Sequence, residues 1–350
     1  MAIQGGTKTE ENYRDVMLDS SSSLKEFSMD RKKYHRRYIL NEDVRDKDTI
    51  AIVIGKVVET LALEPQLFDD KFYMSACASP PTGLMLAFVE ALYYYSREAT
   101  NDQGQLTRTF EEISRDAYVK SEFKIKYEAV IGKFSGSDAE IYYEEIRKVR
   151  ANKLTVVTTQ DITNANKIVE GLKLNFATKN IMTLVNSQRY TILDQLQVEG
   201  YEVDGHKFKS MMDRVVIDHN EKTIQPYDLK VTWTVENFYS EYYLFRRAYI
   251  QAFLYYYACC HLRDNDESLA GYKVEYIKFI VADSTNYYNP LIYTLDESDM
   301  QDAYEGFELK GRKYPGVQEI IEDLSWALDT DTWNISRTNY EQDGMINIKG

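Results

Sequence analysis

The stretch between Val203 and Thr232, VDGHKFKSMMDRVVIDHNEKTIQPYDLKVT, constrains the fold of this chain more than any other. Two β-rich segments, 207–217 and 224–231, lie on either side of a polar cluster at 218–220 that is typical of a turn. A third β-rich segment, 197–204, precedes them across Gly205. The pattern predicts a small antiparallel meander of three strands.

Charged residues stand at corresponding places in two of these strands. Side chains at positions i and i+2 of a strand share a face, so Asp228 and Lys230 project together while Leu229 faces the core. Asp213 ends the preceding strand, and pairing through the turn would bring it near Asp228. The sequence therefore predicts two carboxylates and one ammonium group at a single point.

Such a cluster has the chemistry that phosphodiester hydrolysis requires. Carboxylate oxygens bind Mg²⁺, which polarises a phosphoryl oxygen and lowers the pKa of a bound water. A lysine beside the metal stabilises developing negative charge. A strand that carries only a surface salt bridge is the alternative, because Asp-x-Lys alone is a common pattern.

The segment 236–262 is predicted to be a long helix. Arg247, Gln251 and Tyr255 are spaced i, i+4, i+8 and therefore form one stripe. Gln251 stands among apolar neighbours and needs a polar partner, either in the site or in the core. Arg247 is predicted to contact a phosphate, since its guanidinium can form bidentate hydrogen bonds.

The rest of the chain is predicted to be mostly helical. Helices are expected over 49–64, 83–97, much of 100–190, 296–309 and 314–328, and a strand over 272–283. This order predicts one α/β core with a helical N-terminal elaboration. The expected organisation is a flexible N-terminus 1–20, one domain 21–335 (mainly helical in 21–190, with the catalytic sheet and helices in 191–335), and a tail 336–350.

Composition narrows the class of protein. A net charge of -14 argues against a protein that coats DNA over its whole surface, but it allows a local basic lining. The basic run 31–37 is either a solvated helix face or a phosphate-binding segment through Lys32, Lys33 and Arg36. The chain has three cysteines, no CxxC pair, no secretory signal and no apolar run of membrane-spanning length, so we expect a cytoplasmic protein without zinc, disulfides or membrane contact.

Two strands carrying D…DxK, followed by a helix carrying QxxxY, resemble the RecB, RecE and lambda-exonuclease branch of the PD-(D/E)XK nuclease superfamily. The segments SSSSLKEF and AIVIGKVVETLALEPQLFDDKF are similar to the RecE-like N-terminal pattern, and YPGVQEIIEDLSWALDTDTW is similar to its closing helix. The resemblance spans roughly residues 20–334. It implies a restriction-endonuclease-like core, which is a mixed central β-sheet flanked by helices.

The resemblance also implies roles for individual residues. Asp213, Asp228 and the backbone carbonyl of Leu229 would bind Mg²⁺, or alternatively Mn²⁺, and Lys230 would be the catalytic lysine. Gln251 and Tyr255 would support the site or contact DNA.

Glu59 departs from the family pattern, and a second expected residue, a supporting glutamate, has two candidates in this chain. Glu59 stands where many relatives have a histidine ligand, so it is either a metal ligand suited to Mg²⁺ or a residue of the helix surface. Glu199 and Glu202 are both candidates for a supporting glutamate on the strand before Asp213, and the spacing favours Glu199.

By resemblance, the chain is expected to be a phage or prophage exonuclease that degrades double-stranded DNA ends 5′→3′ in the bacterial cytoplasm. It would form a ring-like homo-oligomer and supply single strands to an annealing protein for recombination. The sequence contains no Walker A motif, so we expect a protein without the usual ATP-driven motor. The alternatives are a single-strand-specific or endonucleolytic enzyme of the same fold, and a catalytically inactive DNA-binding protein on the same scaffold.

Overall fold

The computed structural model describes residues 10–42, 49–285, 287 and 289–345. Within this range the chain divides into two compact units. The single domain over 21–335 stays a prediction. We call the described residues of 1–64 and 164–350 the sheet unit, and residues 65–163 the helical unit. The predicted flexible N-terminus and C-terminal tail lie partly outside the described residues, and their described parts each contain a short helix.

The sheet unit begins with short helices and one longer helix. These are α1 (Glu10–Arg14), α2 (Ser21–Met29), α3 (Arg31–Tyr34), a π-helical turn (His35–Ile39) and α4 (Ile50–Leu63). Ser20 and Ser23 exchange side-chain-to-backbone hydrogen bonds as a capping box for α2, and Thr49 caps α4. Pro65 follows α4, and the helix predicted over 49–64 is confirmed.

The helical unit consists of helices with one pair of short strands. Its elements are a 3₁₀ turn (Pro65–Leu67), α5 (Phe68–Lys71), β1 (Phe72–Met74), α6 (Gly83–Glu98), α7 (Phe110–Lys120), α8 (Tyr127–Phe134), α9 (Asp138–Ala151) and β2 (Thr155–Val157), with β1 and β2 parallel. Phe88, Phe134 and Tyr143 pack edge to face in its core. This core is separate from that of the sheet unit, because its apolar residues pack among themselves.

The remaining elements complete the sheet unit, except that residues 159–163, at the start of the first of them, belong to the helical unit. They are α10 (Thr159–Leu174), α11 (Lys179–Met182), β3 (Tyr190–Val203), β4 (His206–Asp218), β5 (Thr223–Thr232), a 3₁₀ turn (Val235–Asn237), a π-helical segment (Tyr239–Phe245), α12 (Ala248–Asp264), a 3₁₀ turn (Glu267–Leu269), β6 (Lys273–Val274), β7 (Lys278–Asp283), β8 (Leu291–Tyr293), α13 (Glu297–Glu305), β9 (Gly306–Leu309), β10 (Arg312–Pro315), α14 (Val317–Thr330) and α15 (Arg337–Glu341).

The central sheet is mixed, with helices packed against it. Its order is β3-β4-β5-β7-β8, and β6 also pairs with β5. The predicted meander is confirmed, since β3, β4 and β5 are antiparallel, whereas β5 and β7 are parallel. Asp204 and Gly205 join β3 to β4 with φ of 50° and 76°, as a two-residue hairpin turn with two positive φ angles requires.

Three predicted elements differ in the structure. The helix predicted over 236–262 is broken, because Arg247 adopts a left-handed φ of 54° between the π-helical segment and α12. The strand predicted over 272–283 is divided into β6 and β7. The helix predicted over 296–309 ends at Glu305, because Gly306 turns the chain with φ 87° into the β9–β10 hairpin.

The main core lies between the sheet and α12. Leu254, Tyr249 and Phe279 are among the fully buried side chains there. Within the described residues, no helix is both long and apolar enough to cross a membrane.

Candidate active site

The candidate site lies where β4 and β5 separate. Their backbone pairing ends at Arg214 and Tyr227, one residue short of Asp213 and Asp228. Beyond that point β4 and β5 are joined by a side chain: Oδ2 of Asp213 on β4 accepts a 2.7 Å hydrogen bond from the backbone amide of Leu229 on β5. The structure therefore brings Asp213 beside Asp228, as the sequence predicts.

Asp228 is the most deeply buried charged residue of the site, with 1% of its surface exposed. Its Oδ1 accepts a 2.6 Å hydrogen bond from Gln251 Nε2 on α12. Its Oδ2 contacts the ammonium of Lys230, two residues along β5, and receives no hydrogen bond from any other described group. A buried carboxylate requires such partners, since an unpaired one carries a large desolvation cost.

The charges of the site perturb one another. Burial, followed by the nearby carboxylates of Asp228 and Glu59, raises the pKa of Asp213 well above its ordinary value. Burial alone would lower the pKa of Lys230, but attraction to Asp228 and Asp213 outweighs it and raises that pKa. The neighbouring carboxylates therefore disfavour the charged form of Asp213, and either a proton or a bound cation would relieve their repulsion.

Glu59 reaches the site from α4. Its charge raises the pKa of Asp213, after the larger effects of burial and Asp228. Its Oε1 accepts a 2.7 Å hydrogen bond from Gln195 Nε2 on β3. The role of Glu59 as a metal ligand stays a prediction.

Gln195 is a residue of β3 for which no role was predicted from the sequence. Its neighbours Asp194 and Leu196 pair with Arg214 and Met212, which places Gln195 opposite Asp213. It adopts a positive φ of 50°, so the regular alternation of the strand is interrupted there.

Glu199 lies further along β3 and pairs with Lys209, four residues before Asp213 on β4. At about 3.4 Å per residue this is roughly 14 Å from Asp213 along the strand. The charge of Glu199 raises the pKa of Tyr13, after the larger effect of burial, which places the carboxylate near Tyr13. Glu199 is therefore on the strand before Asp213 but not next to it, and its supporting role stays a prediction.

Lys25 belongs to the site although no sequence motif singled it out. It extends from α2, and its Nζ donates a 3.3 Å hydrogen bond to Gln251 Oε1. Burial, and then repulsion by Lys230, lowers the pKa of Lys25 to about 8. Gln251 thus connects Asp228 on one side to a second lysine on the other.

Tyr255 lies one turn after Gln251 on α12. Its hydroxyl donates a 2.6 Å hydrogen bond to the backbone carbonyl of Met211 on β4. Burial, with the charges of Asp228 and Asp213, raises the pKa of Tyr255 well above its ordinary value. Tyr255 therefore stays neutral and fastens α12 to the strand that carries Asp213.

Arg247 does not continue the stripe of Gln251 and Tyr255. It precedes the first turn of α12, where its guanidinium donates a 2.9 Å hydrogen bond to the carbonyl of Ser28 in α2. Burial lowers the pKa of Arg247. Its observed contact is structural, because it joins α2 to α12, and the phosphate contact stays a prediction.

Most of the basic run 31–37 is neutralised within the sheet unit. Lys33 and Arg37 pair with Glu26, Arg31 contacts Asp323, and Arg36 pairs with Glu42. Lys32 is exposed. Lys33 and Arg36 thus each have an ion-pair partner, and their contact with phosphate stays a prediction.

The donor set is suited to a divalent cation in chemistry, although it is not gathered as a finished metal centre. Within the described ranges, no three His, Cys, Asp or Glu side chains lie close enough together to hold a metal ion. The buried Asp228 Oδ2 has the Lys230 ammonium as its ion-pair partner, and no other described group donates a hydrogen bond to it. Carboxylate oxygens of Asp228, Asp213 and Glu59 are the type of ligand that Mg²⁺ prefers.

Comparison with known proteins leaves the family of the chain undefined. No protein-family model and no curated protein matches it. It is similar to the crystal structure of a protein from Eubacterium rectale described as a "putative exonuclease", with 15% sequence identity, 85% of this chain and 82% of that chain covered, and a TM-score of 0.43. Likeness at this level defines neither fold family nor chemistry.

Proposed function

We propose that this chain is a metal-dependent deoxyribonuclease that hydrolyses phosphodiester bonds at the Asp213, Asp228 and Lys230 cluster. The observation that carries the proposal is the separation of β4 from β5, which leaves Asp213 and Asp228 side by side with the Lys230 ammonium against Asp228. Two carboxylates that share a lysine at the end of a strand pair are suited to hold a metal and a phosphate together.

Each side chain has a distinct part in the proposed reaction. Asp228 and Asp213 would hold the cation, with Glu59 as a further ligand and the Leu229 carbonyl as a candidate. When bound, Mg²⁺ would polarise the phosphoryl oxygen and lower the pKa of a water. Lys230 would leave Asp228 to stabilise charge on the phosphate, and Gln251 would keep Asp228 in its orientation while Lys25 adds positive charge behind it.

The finer assignment follows the resemblance of the motifs. We propose a RecE-like member of the PD-(D/E)XK nucleases that acts as a 5′→3′ exonuclease on double-stranded DNA ends. In this proposal a ring-like homo-oligomer supplies single strands to a phage annealing protein in the bacterial cytoplasm. Mg²⁺ is the proposed cofactor, and Mn²⁺ is the proposed substitute.

One observation favours a second candidate, a catalytically inactive DNA-binding protein on the same scaffold. The Lys230 ammonium contacts the oxygen of Asp228 that would bind a metal, and no three-ligand group is assembled among the described residues. The two candidates differ in whether Mg²⁺ displaces Lys230 from Asp228.

The deciding experiment follows linear duplex DNA labelled at either the 5′ or the 3′ end, with Mg²⁺ and without ATP. Early release of the 5′ label as mononucleotides, absent in Asp228→Asn, is the expected result. Early release of the 3′ label would indicate a 3′→5′ exonuclease in place of the proposed 5′→3′ polarity. Internal cuts would favour an endonuclease. Bound but uncut DNA in both Mg²⁺ and Mn²⁺ would favour the inactive binding protein.

A further inference from the structure

The helical unit contains a groove of about 630 Å³ between α6 and α9. The two helices run antiparallel, since Glu90 pairs with Arg150 while Ser96, further along α6, bonds to Tyr143, earlier on α9. The Ser96–Tyr143 hydrogen bond is buried and 2.7 Å long, and Arg150 holds Glu90 through two bonds of 2.7 and 2.8 Å. The walls of the groove are therefore fixed by contacts within the helical unit itself.

The lining of this groove is positively charged. Arg97 from α6 and Arg147, Lys148 and Arg150 from α9 line it, and all four are exposed. Glu144 also lines it, and Glu90 pairs with Arg150, so four cations are set against two carboxylates. The pairing of Arg147 with Glu144 at 3.3 Å is between exposed groups, and such pairs contribute little.

The groove is an exception on a strongly acidic chain. The net charge of the chain is -14. A concave surface with an excess of cations focuses the electric field locally and would attract a negatively charged ligand. A positively charged side chain interacts favourably with the negative end of the helix dipole, which explains a cation in the last turn of each helix. It does not explain why Arg97 from one helix and Arg147 and Lys148 from the other surround the same concavity.

We infer that this groove binds the sugar–phosphate backbone of a nucleic acid. Guanidinium groups bind phosphate oxygens through two parallel hydrogen bonds, and Lys148 adds a point charge. The cations are exposed along an open groove, which suits an extended polyanion held by charge. The contact would be independent of base sequence, because backbone phosphates carry no sequence information.

The identity of the polyanion as DNA rests on the proposed function, but the groove uses none of the residues of the candidate active site. It would add affinity for the duplex without taking part in hydrolysis. This supplies a local basic surface of the kind that an acidic nuclease needs, in a part of the chain that the sequence motifs did not indicate.

The test compares two double variants with the same change in charge. Arg97→Glu/Lys148→Glu reverses two cations of the groove, and Lys120→Glu/Lys133→Glu reverses two exposed cations of α7 and α8 elsewhere in the helical unit. Binding of a fluorescent duplex is measured by anisotropy in EDTA over a series of salt concentrations, with circular dichroism as the check on folding. Arg97→Gln/Lys148→Gln is the milder pair, used if the charge reversal prevents folding.

The groove variant is expected to weaken binding about tenfold or more at low salt, and to reduce the slope of log K against log salt by about 2. The control is expected to change binding less than about threefold. Equal weakening by the two variants, or none by either, would overturn the inference. Mg²⁺-dependent cleavage by the wild-type protein tests the proposed function separately. If the wild-type protein cuts DNA and the groove variant binds DNA normally, only the inference about the groove is contradicted.

Discussion

Gln251 donates a 2.6 Å hydrogen bond from Nε2 to Oδ1 of the buried Asp228. The same amide accepts a hydrogen bond from Lys25 through its Oε1. Its orientation is therefore fixed from both ends, and Asp228 is held by a helix and a strand that are distant in sequence. This relationship makes the carboxylate of Asp228 a rigid group, which a site for a metal or a phosphate needs.

Replacement of Gln251 by leucine should lower nuclease activity about 10- to 100-fold, with a higher Mg²⁺ requirement, because Asp228 loses the bond that orients it. Initial rates of duplex degradation over a Mg²⁺ titration provide the measurement. Gln318→Leu, at an exposed position of α14, is the matched control and should leave both quantities unchanged. An unchanged Mg²⁺ requirement in Gln251→Leu would restrict Gln251 to core packing.

Asp228→Asn and Lys230→Ala should each reduce cleavage by about 10³-fold while DNA binding is retained. The reason is that these groups act on the metal and the reacting phosphate, whereas binding depends on many phosphate contacts. End-labelled cleavage and anisotropy are measured on the same preparations. Cleavage at the wild-type rate in both variants would remove the cluster from the mechanism.

Glu59→Gln should raise the Mg²⁺ concentration for half-maximal cleavage several-fold, since it removes one of the three charges that face the cation. The amide keeps the size of the side chain and its access to Gln195. Glu170→Gln, on the exposed side of α10, is the charge-matched control. A titration identical to that of the wild-type protein would leave Glu59 as a partner of Gln195 only.

The Mg²⁺ requirement should also fall as the pH rises. The pKa of Asp213 is raised by burial and by neighbouring carboxylates, so in the absence of a cation its protonated form persists above the usual range. Mg²⁺ must displace that proton, and binding therefore strengthens with pH. Mg²⁺ titrations of the cleavage rate between about pH 6 and 8 test this, and a requirement that rises with pH would contradict it.

Lys25→Met should stabilise the protein in EDTA while reducing its activity. The folded-state pKa of Lys25 is lowered from 10.5 to about 8, so at neutral pH the folded state holds a charge that burial and Lys230 disfavour. The unfolded chain binds more protons between these two values, and wild-type stability therefore rises with pH across this window.

The gain in the free energy of unfolding from Lys25→Met should be about 1–3 kcal/mol near pH 7, and it should shrink as the pH approaches 10.5. Urea unfolding at several pH values provides the measurement, with Lys32→Met at an exposed position as the control. A stability difference that is constant with pH would show that charge on Lys25 is not its cause.

The local part of the site follows from the sequence alone. Strands β4 and β5 are neighbours along the chain and alternate with period two, so the turn between them determines that Asp213 and Asp228 meet. The antiparallel meander is predictable for the same reason, whereas the parallel pairing of β5 with β7 joins segments that are not consecutive strands, and the mixed sheet was expected only from the family resemblance.

The rest of the site was decided only by tertiary structure. Lys25, Glu59 and Gln195 reach it from α2, α4 and β3, which local periodicity cannot place relative to β5. Basic residues at 31–37 were neutralised by partners outside their own segment, such as Glu26 and Asp323.

The backbone breaks and the division of the chain are tertiary as well. The aromatic and apolar residues around Arg247 fit the pattern of one continuous helix. In the structure, Arg247 adopts a left-handed conformation that divides this helix, and its side chain donates a hydrogen bond to the Ser28 carbonyl. The helical unit is inserted between residues 64 and 164, and it separates because its apolar side chains bury one another. Local sequence thus determined the strands and the carboxylate pair, whereas contacts between distant segments decided which charges surround that pair, because burial and Coulomb interaction depend on distance in space.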